Sequence, residues 1–88
     1  MDPAALAAAL ARLPGWARVG HAIVRTYSFP DFRAALAFVN RVGELAEGAG
    51  HHPDIDIRYN TVTLALSTHD AGGLTTKDFE LARVIDRA

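Results

Sequence analysis

Three histidines and two carboxylates are the residues of this chain best suited to chemistry. His51 and His52 are adjacent, His69 lies further along the chain, Glu47 is one helical turn before His51, and Asp78 comes after His69. An imidazole ring can donate or accept a proton near neutral pH, and a neighbouring carboxylate can orient it. These residue types favour general acid–base chemistry on a small molecule.

The composition excludes several other kinds of site. The 88 residues include no cysteine, which excludes disulfides, thiolate metal ligands and cysteine nucleophiles. Nine basic and ten acidic residues give a formal net charge of −1, without the basic surface that nucleic-acid binding requires. No stretch approaches the roughly 20 apolar residues of a membrane span, and the N-terminus lacks the features of a signal peptide. We therefore expect a cytoplasmic protein that binds neither membranes nor nucleic acids.

The first half of the chain predicts a helix, two strands and a second helix. A short alanine-rich helix is predicted over 2–13, and strands are predicted over 16–20 and 22–28. From residue 31 to Gly50, apolar residues recur at helical spacing, which predicts a long amphipathic helix. Its predicted apolar face consists of Ala35, Phe38, Val39, Val42, Leu45, Ala46 and Ala49.

The second half predicts a β-hairpin followed by a helix. Every second residue is apolar in 55–59 and again in 62–66, as in half-buried strands. With a two-residue loop at Asn60-Thr61, each apolar residue faces an apolar partner. The predicted pairs are Tyr59 with Val62, Ile57 with Leu64, and Ile55 with Leu66. A last helix is predicted over 74–86, beginning with a Thr-x-x-Asp capping box.

These elements predict one α+β domain over residues 1–88, in the order α-β-β-α-β-β-α. The sheet is expected to be four-stranded and antiparallel, with the helices packed on one face. A chain this short has a thin core, and half of its residues are apolar, so we also expect a homo-oligomer.

The predicted hairpin register brings the candidate residues together. Extended to its open end, it places His52 opposite His69, provided that the proline after His52 does not interrupt the pairing. His51 then lies beside the end of the helix that carries Glu47, and Asp78 begins the next helix after His69. Three imidazoles and two carboxylates are therefore expected to converge.

Each of these residues also has an ordinary structural interpretation. A His-His-Pro tripeptide often forms a polar turn, and His69 could be a solvated residue at a strand end. Glu47 could be a solvated helix residue, and Asp78 could serve only as a helix cap. Three histidines also suggest zinc, but adjacent residues in an extended segment point in opposite directions, so His51 and His52 would not easily bind one ion.

Several short motifs occur in an informative order. They are Glu47-x-x-x-His51-His52-Pro53, Tyr59-Asn60-x-Val62, Thr68-His69-Asp70 and Gly73-Leu74-Thr75-x-x-Asp78. With this order and spacing, the chain resembles the pterin-4a-carbinolamine dehydratase family from Gly15 to Asp86. It departs from the family pattern at Gly50, and at Ile55, where some relatives have an aromatic residue.

The resemblance implies a hydro-lyase that forms dimers or tetramers and needs no metal or organic cofactor. The family removes water from 4a-hydroxytetrahydropterin to give quinonoid dihydropterin, which recycles the pterin cofactor of aromatic amino-acid hydroxylases. By position, the match implies catalytic roles for His51, His52 and His69, and substrate-binding roles for Glu47, Pro53 and Asp78. Because hydroxide is a poor leaving group, one imidazole should protonate the 4a-oxygen while another takes the N5 proton, and we assign these steps to His52 and His69.

Other functions on the same fold stay open. Some relatives bind a homeodomain transcription factor, and other chains with this fold assist assembly of a carbon-fixing enzyme but lack the histidine motif. A protein that binds a pterin without turning it over is a third alternative. The complete motif in this chain favours the dehydratase.

Overall fold

A computed structural model describes residues 1–88, and its elements follow the order α-β-β-α-β-β-α. The helices and strands are α1 (Pro3–Ala11), β1 (Ala17–Val19), β2 (Ala22–Ser28), α2 (Phe32–Ala49), β3 (Asp54–Arg58), β4 (Thr61–Leu66) and α3 (Thr76–Asp86). The strands form one antiparallel sheet in the order β1-β2-β4-β3, which confirms the predicted α+β class. None of the three helices combines the length and apolarity needed to cross a membrane.

Side-chain caps begin the first two helices. Asp2 accepts a hydrogen bond from the backbone N–H of Ala5, and Asp31 accepts one from that of Ala34, each at 2.8 Å. The predicted apolar face of α2 is correct for its middle turns, where Ala35, Phe38, Val42 and Ala46 are buried. Ala49 was expected on that buried face but is exposed, because the core ends at Ala46.

One apolar core lies between the sheet and the helices. Ile23 of β2 and Leu64 and Leu66 of β4 have no exposed surface, as expected for the two central strands. Phe79 and Ile85 of α3 are also buried and belong to the same cluster. Complete burial of a leucine side chain stabilises the fold by about 1.5–3 kcal/mol, so the two central strands contribute much of the stability of this core.

The β3–β4 hairpin has a different register from the predicted one. Ile57 pairs with Val62, and Arg58 pairs with Thr61, so the two-residue loop is Tyr59-Asn60 rather than Asn60-Thr61. The register is displaced by two residues, which preserves the alternation of faces: Ile57 still packs against the core, but Ile55 is 39% exposed. Tyr59, which was expected to face inward, is 68% exposed at the tip of the hairpin.

Contacts of the turn explain this register. Asn60 exchanges two hydrogen bonds with the backbone of Phe29: its side-chain amide donates to the carbonyl at 2.8 Å, and its own carbonyl accepts from the N–H at 2.9 Å. Tyr59 adopts a positive φ of 51°, as the first residue of a tight hairpin loop can. Because Asn60 is bound to Phe29, it belongs to the loop, and the ladder begins at Thr61.

The side chain of Asp86 connects the end of α3 to two earlier segments. Its Oδ2 accepts from the indole N–H of Trp16 at 3.0 Å, and its Oδ1 accepts from the hydroxyl of Tyr27 at 2.6 Å. The guanidinium of Arg25 lies 3.1 Å from Oδ1 and stacks over the Tyr27 ring. Burial of the ring, followed by the hydrogen bond to Asp86, raises the pKa of Tyr27 well above its usual range.

Candidate functional site

All three candidate histidines line one open cleft of about 280 Å³, where α2 ends, β4 ends and α3 begins. Its lining residues are Gly50, His51, His52, Ser67, Thr68, His69, Asp70 and Lys77. Two larger clefts, of about 600 and 590 Å³, lie elsewhere and contain no histidine. Because a site is defined by its chemistry rather than by its volume, we take the histidine cleft as the candidate site.

The chain reverses at Gly50, which places both adjacent histidines at the end of α2. Gly50 has a left-handed φ of 63°, and the next N–H, that of His51, returns to the carbonyl of Ala46 at 3.2 Å. A left-handed residue at a helix end is usually glycine, because a Cβ is unfavourable there. The departure from the family pattern at this position therefore has a conformational role.

The expected pairing of His52 with His69 across the sheet is wrong. The β3–β4 ladder begins at Asp54, which pairs with Ala65, so it does not reach either histidine. Pro53 lies directly before the strand, and its missing N–H cannot contribute to the ladder. His52 and His69 still share the cleft, but the loops that follow α2 and β4 bring them there.

His51 is held by a buried carboxylate. Its Nε2 lies 2.6 Å from Oδ1 of Asp78, and its side chain is only 13% exposed. Asp78 has no exposed surface, and its Oδ2 accepts from the Thr68 hydroxyl at 2.8 Å and from the Thr75 N–H at 2.9 Å. The expected direct contact of Asp78 with a substrate has no surface available, so its influence must pass through His51.

His52 pairs with the other carboxylate, in a more exposed setting. Its Nε2 lies 2.7 Å from Oε1 of Glu47, with the histidine side chain 61% and the glutamate side chain 77% exposed. Exposed ion pairs contribute only about 0–1 kcal/mol, so solvent or a ligand can displace this contact easily. The sequence predicted that both carboxylates lie near the histidines, but it did not indicate which histidine each one contacts.

His69 lies in a short 3-10 turn, His69–Ala71, directly after β4. Thr68 and Gly73 close this loop by exchanging backbone hydrogen bonds of 3.0 and 3.2 Å. The His69 residue is exposed, so its ring is accessible from the cleft. Lys77, in the first turn of α3, also lines the cleft; it was not predicted, because a lysine in a first helical turn carries no distinctive sequence signal.

The three residues that were expected to bind substrate, Glu47, Pro53 and Asp78, are absent from the cleft lining. Pro53 is half-buried and lies between His52 and the start of β3. No group of three or more histidine and acidic side chains is arranged to hold a metal ion. The expectation that no metal or organic cofactor is needed stays a prediction.

The chain is similar over its whole length to one protein family. The sequence pattern of the family described as "Pterin 4 alpha carbinolamine dehydratase" matches residues 1–88. A protein of Thermomicrobium roseum with the provisional name pterin-4-alpha-carbinolamine dehydratase is 61% identical over 83 residues, covering 94% of this chain and 89% of the relative. One of Acidobacterium capsulatum with the same name is 58% identical over 86 residues, covering 98% and 94%.

Two solved structures have the same fold as this chain. The crystal structure of a transcriptional coactivator/pterin dehydratase from Brucella melitensis superposes with a TM-score of 0.94 at 34% identity, covering 99% of this chain and 95% of the other. A pterin dehydratase-like RuBisCO assembly factor of the alpha-carboxysome superposes with a TM-score of 0.71 at 21% identity, which shows the shared fold alone. Sequence, fold and the histidine motif thus lead to one assignment: this chain belongs to the pterin-4-alpha-carbinolamine dehydratase family.

Proposed function

We propose that this protein is a hydro-lyase that removes water from 4a-hydroxytetrahydropterin and so recycles the pterin cofactor of aromatic amino-acid hydroxylases. One observation carries the proposal: His51 and His52 at the end of α2 and His69 after β4 line the same cleft, although the sequence separates them. The names of the relatives at about 60% identity support the same reaction.

The reaction needs one proton donor and one proton acceptor. A protonated imidazole donates to the 4a-oxygen as the C4a–O bond breaks, and water leaves. A neutral imidazole takes the proton from N5, and the N5–H electron pair forms the new bond between N5 and C4a. We assign the two steps to His52 and His69, because both residues are exposed to the cleft.

The other polar groups have supporting roles in this proposal. His51 is mostly buried and fixed by Asp78, so it is suited to hold the edge of the pterin ring in one place. Glu47 orients His52 through their 2.7 Å contact, and its exposed carboxylate can also accept N–H bonds from the pterin.

The decay of 4a-hydroxytetrahydropterin tests this function directly. The compound is generated with a phenylalanine hydroxylase, and its absorbance is followed with and without the protein. We expect a large acceleration, reduced at least tenfold in both His52→Ala and His69→Ala. His21→Gln changes the one histidine outside the cleft and should retain activity within about twofold.

Other outcomes would redirect the assignment. If folded protein gives no acceleration, the dehydratase proposal fails, and tetrahydropterin binding measured by calorimetry would separate a non-catalytic pterin binder from a protein-binding module. The Brucella melitensis structure is described as both a coactivator and a dehydratase, which supports testing protein partners next. If activity falls equally in the His21 variant, the assignment of the proton-transfer pair fails.

Three further parts of the proposal concern context. We expect a homodimer or homotetramer, a cytoplasmic location, and a functional connection to an aromatic amino-acid hydroxylase. Light scattering after size-exclusion chromatography measures the oligomeric state directly. Activity after treatment with a chelator tests the expected independence from metal, because a metal-free reaction continues at the same rate.

A further inference from the structure

The buried carboxylate of Asp78 joins the two histidine-bearing segments of the cleft. Its Oδ1 contacts His51, and its Oδ2 is held by the hydroxyl of Thr68, the residue directly before His69. Thr68 also closes the loop that carries His69, through its backbone hydrogen bonds to Gly73. Thr68 therefore holds both the carboxylate that contacts His51 and the loop that carries His69.

The directions of the hydrogen bonds follow from counting donors. Thr68 has one hydroxyl proton, which it donates to Asp78 Oδ2, so the Thr75 hydroxyl, 2.8 Å away, must donate to the Thr68 oxygen. Oδ2 accepts a second bond from the Thr75 N–H. With Oδ2 occupied by two donors, Oδ1 is the oxygen left to accept from Nε2 of His51, 2.6 Å away.

This arrangement favours one tautomer of His51. In this tautomer the neutral ring carries its proton on Nε2, which donates to Asp78, and Nδ1 keeps its lone pair. We propose that Thr68 is a positioning residue of the site: its hydroxyl holds Asp78 in the orientation that keeps His51 in this tautomer. The proposal rests on the proposed function for its catalytic consequence, but the tautomer can be measured without any activity.

A matched set of variants tests the role of the hydroxyl. Thr68→Val removes the hydroxyl with little change in shape, and Thr68→Ser retains it. The control is Thr63→Val, which breaks a hydroxyl–hydroxyl contact of 3.0 Å with Thr26 on the exposed face of the sheet. Each variant is measured for kcat, KM and thermal unfolding, and for the ring nitrogen signals of His51 by 15N NMR with labelled histidine, assigned with His51→Gln.

We expect Thr68→Val to lower kcat about tenfold with KM changed less than about twofold, because a positioning hydrogen bond acts on the reacting geometry. The His51 ring should lose its single Nε2–H tautomer in this variant, and Thr68→Ser should restore both properties. Thr63→Val should change neither kcat nor the ring signals, even where it lowers the unfolding temperature.

Three results would overturn the proposal. One is a Thr68→Val protein whose His51 signals and kcat equal those of Thr63→Val. Another is a wild-type protein whose His51 carries its proton on Nδ1 at high pH, a measurement that requires no variant to fold. The third is a Thr68→Ser protein as impaired as Thr68→Val. A wild type without dehydratase activity would refute the proposed function, while the NMR result would still decide whether Thr68 positions His51.

Discussion

Replacing Asp86 with alanine should destabilise the protein although this residue lies outside the candidate site. The substitution leaves the indole N–H of buried Trp16 and the Tyr27 hydroxyl without their acceptor and removes the charge partner of Arg25. Each of the two hydrogen bonds to the carboxylate contributes on the order of 1 kcal/mol, and the ion pair, with side chains 22% and 30% exposed, contributes less than about 1 kcal/mol. An acidic residue at a helix C-terminus offsets these gains by about 0.5 kcal/mol.

The net loss is therefore about 2 kcal/mol in the free energy of unfolding. Unfolding entropy of about 2.1 cal/mol/K per residue converts this to a fall of roughly 11 °C in Tm for a chain of this length. The assay is thermal unfolding followed by circular dichroism at a fixed protein concentration, since any oligomer makes Tm depend on concentration. Asp56→Ala is the matched control: Asp56 pairs with Arg58 at 3.2 Å, but both side chains are more than half exposed.

The comparison of the two aspartates tests the reasoning about burial. Asp56→Ala should change Tm by less than about 3 °C, because exposed ion pairs contribute little. If Asp86→Ala causes no larger change than Asp56→Ala, then the indole and hydroxyl contacts do not stabilise α3, and the account of this cluster is wrong. An equal and large loss in both variants would show that surface charge, rather than partial burial, determines the effect.

Two other predictions concern the same cluster. Because the pKa of Tyr27 is raised, the folded state keeps the phenol proton to a higher pH than the unfolded state does, so the stability that Tyr27 contributes is present below about pH 10 and is lost as the pH rises further. In Tyr59→Phe protein, absorbance at 295 nm should show Tyr27 ionising only well above pH 10. Ionisation near pH 10 would contradict this prediction. Gly15 has a φ of 95°, and a Cβ there would lie 2.8 Å from Cζ of Arg25. Gly15→Ala should therefore lower the free energy of unfolding, measured by chemical denaturation, by about 1–3 kcal/mol. The control is Gly48→Ala, where a Cβ meets open space on α2, and it should not lower the free energy of unfolding.

The sequence specified the order of elements well because each signal was local. The helical spacing of α2, the alternation in β3 and β4 and the capping box of α3 all depend on neighbouring residues. The hairpin register depended instead on a contact between Asn60 and Phe29, which are 31 positions apart. Alternation with a period of two cannot distinguish registers that differ by two residues, so the apolar pattern alone allowed the wrong one.

The residues of the candidate site were predicted, but their contacts were not. The motif identified His51, His52 and His69 with their acidic neighbours, because residue type and spacing are properties of the sequence. The burial of Asp78 depends on how α3 packs against α2 and the loop after β4, which no local pattern describes. The same packing brings Asp78 into contact with His51, while Glu47 contacts His52.

The difference in burial between these two pairs gives the site one fixed and one adaptable imidazole. Breaking the contact of His51 with fully buried Asp78 would leave a buried polar group without its partner, at a cost of about 1–3 kcal/mol, whereas Glu47 can leave exposed His52 at little cost. Changing the salt concentration should distinguish the buried pair from the exposed pair, because the Debye length falls from about 30 Å at 0.01 M to about 3 Å at 1 M. We expect the 15N ring signals of His52 to shift across this range and those of His51 to stay constant; equal shifts in both rings would show that the burial of Asp78 does not protect its pair.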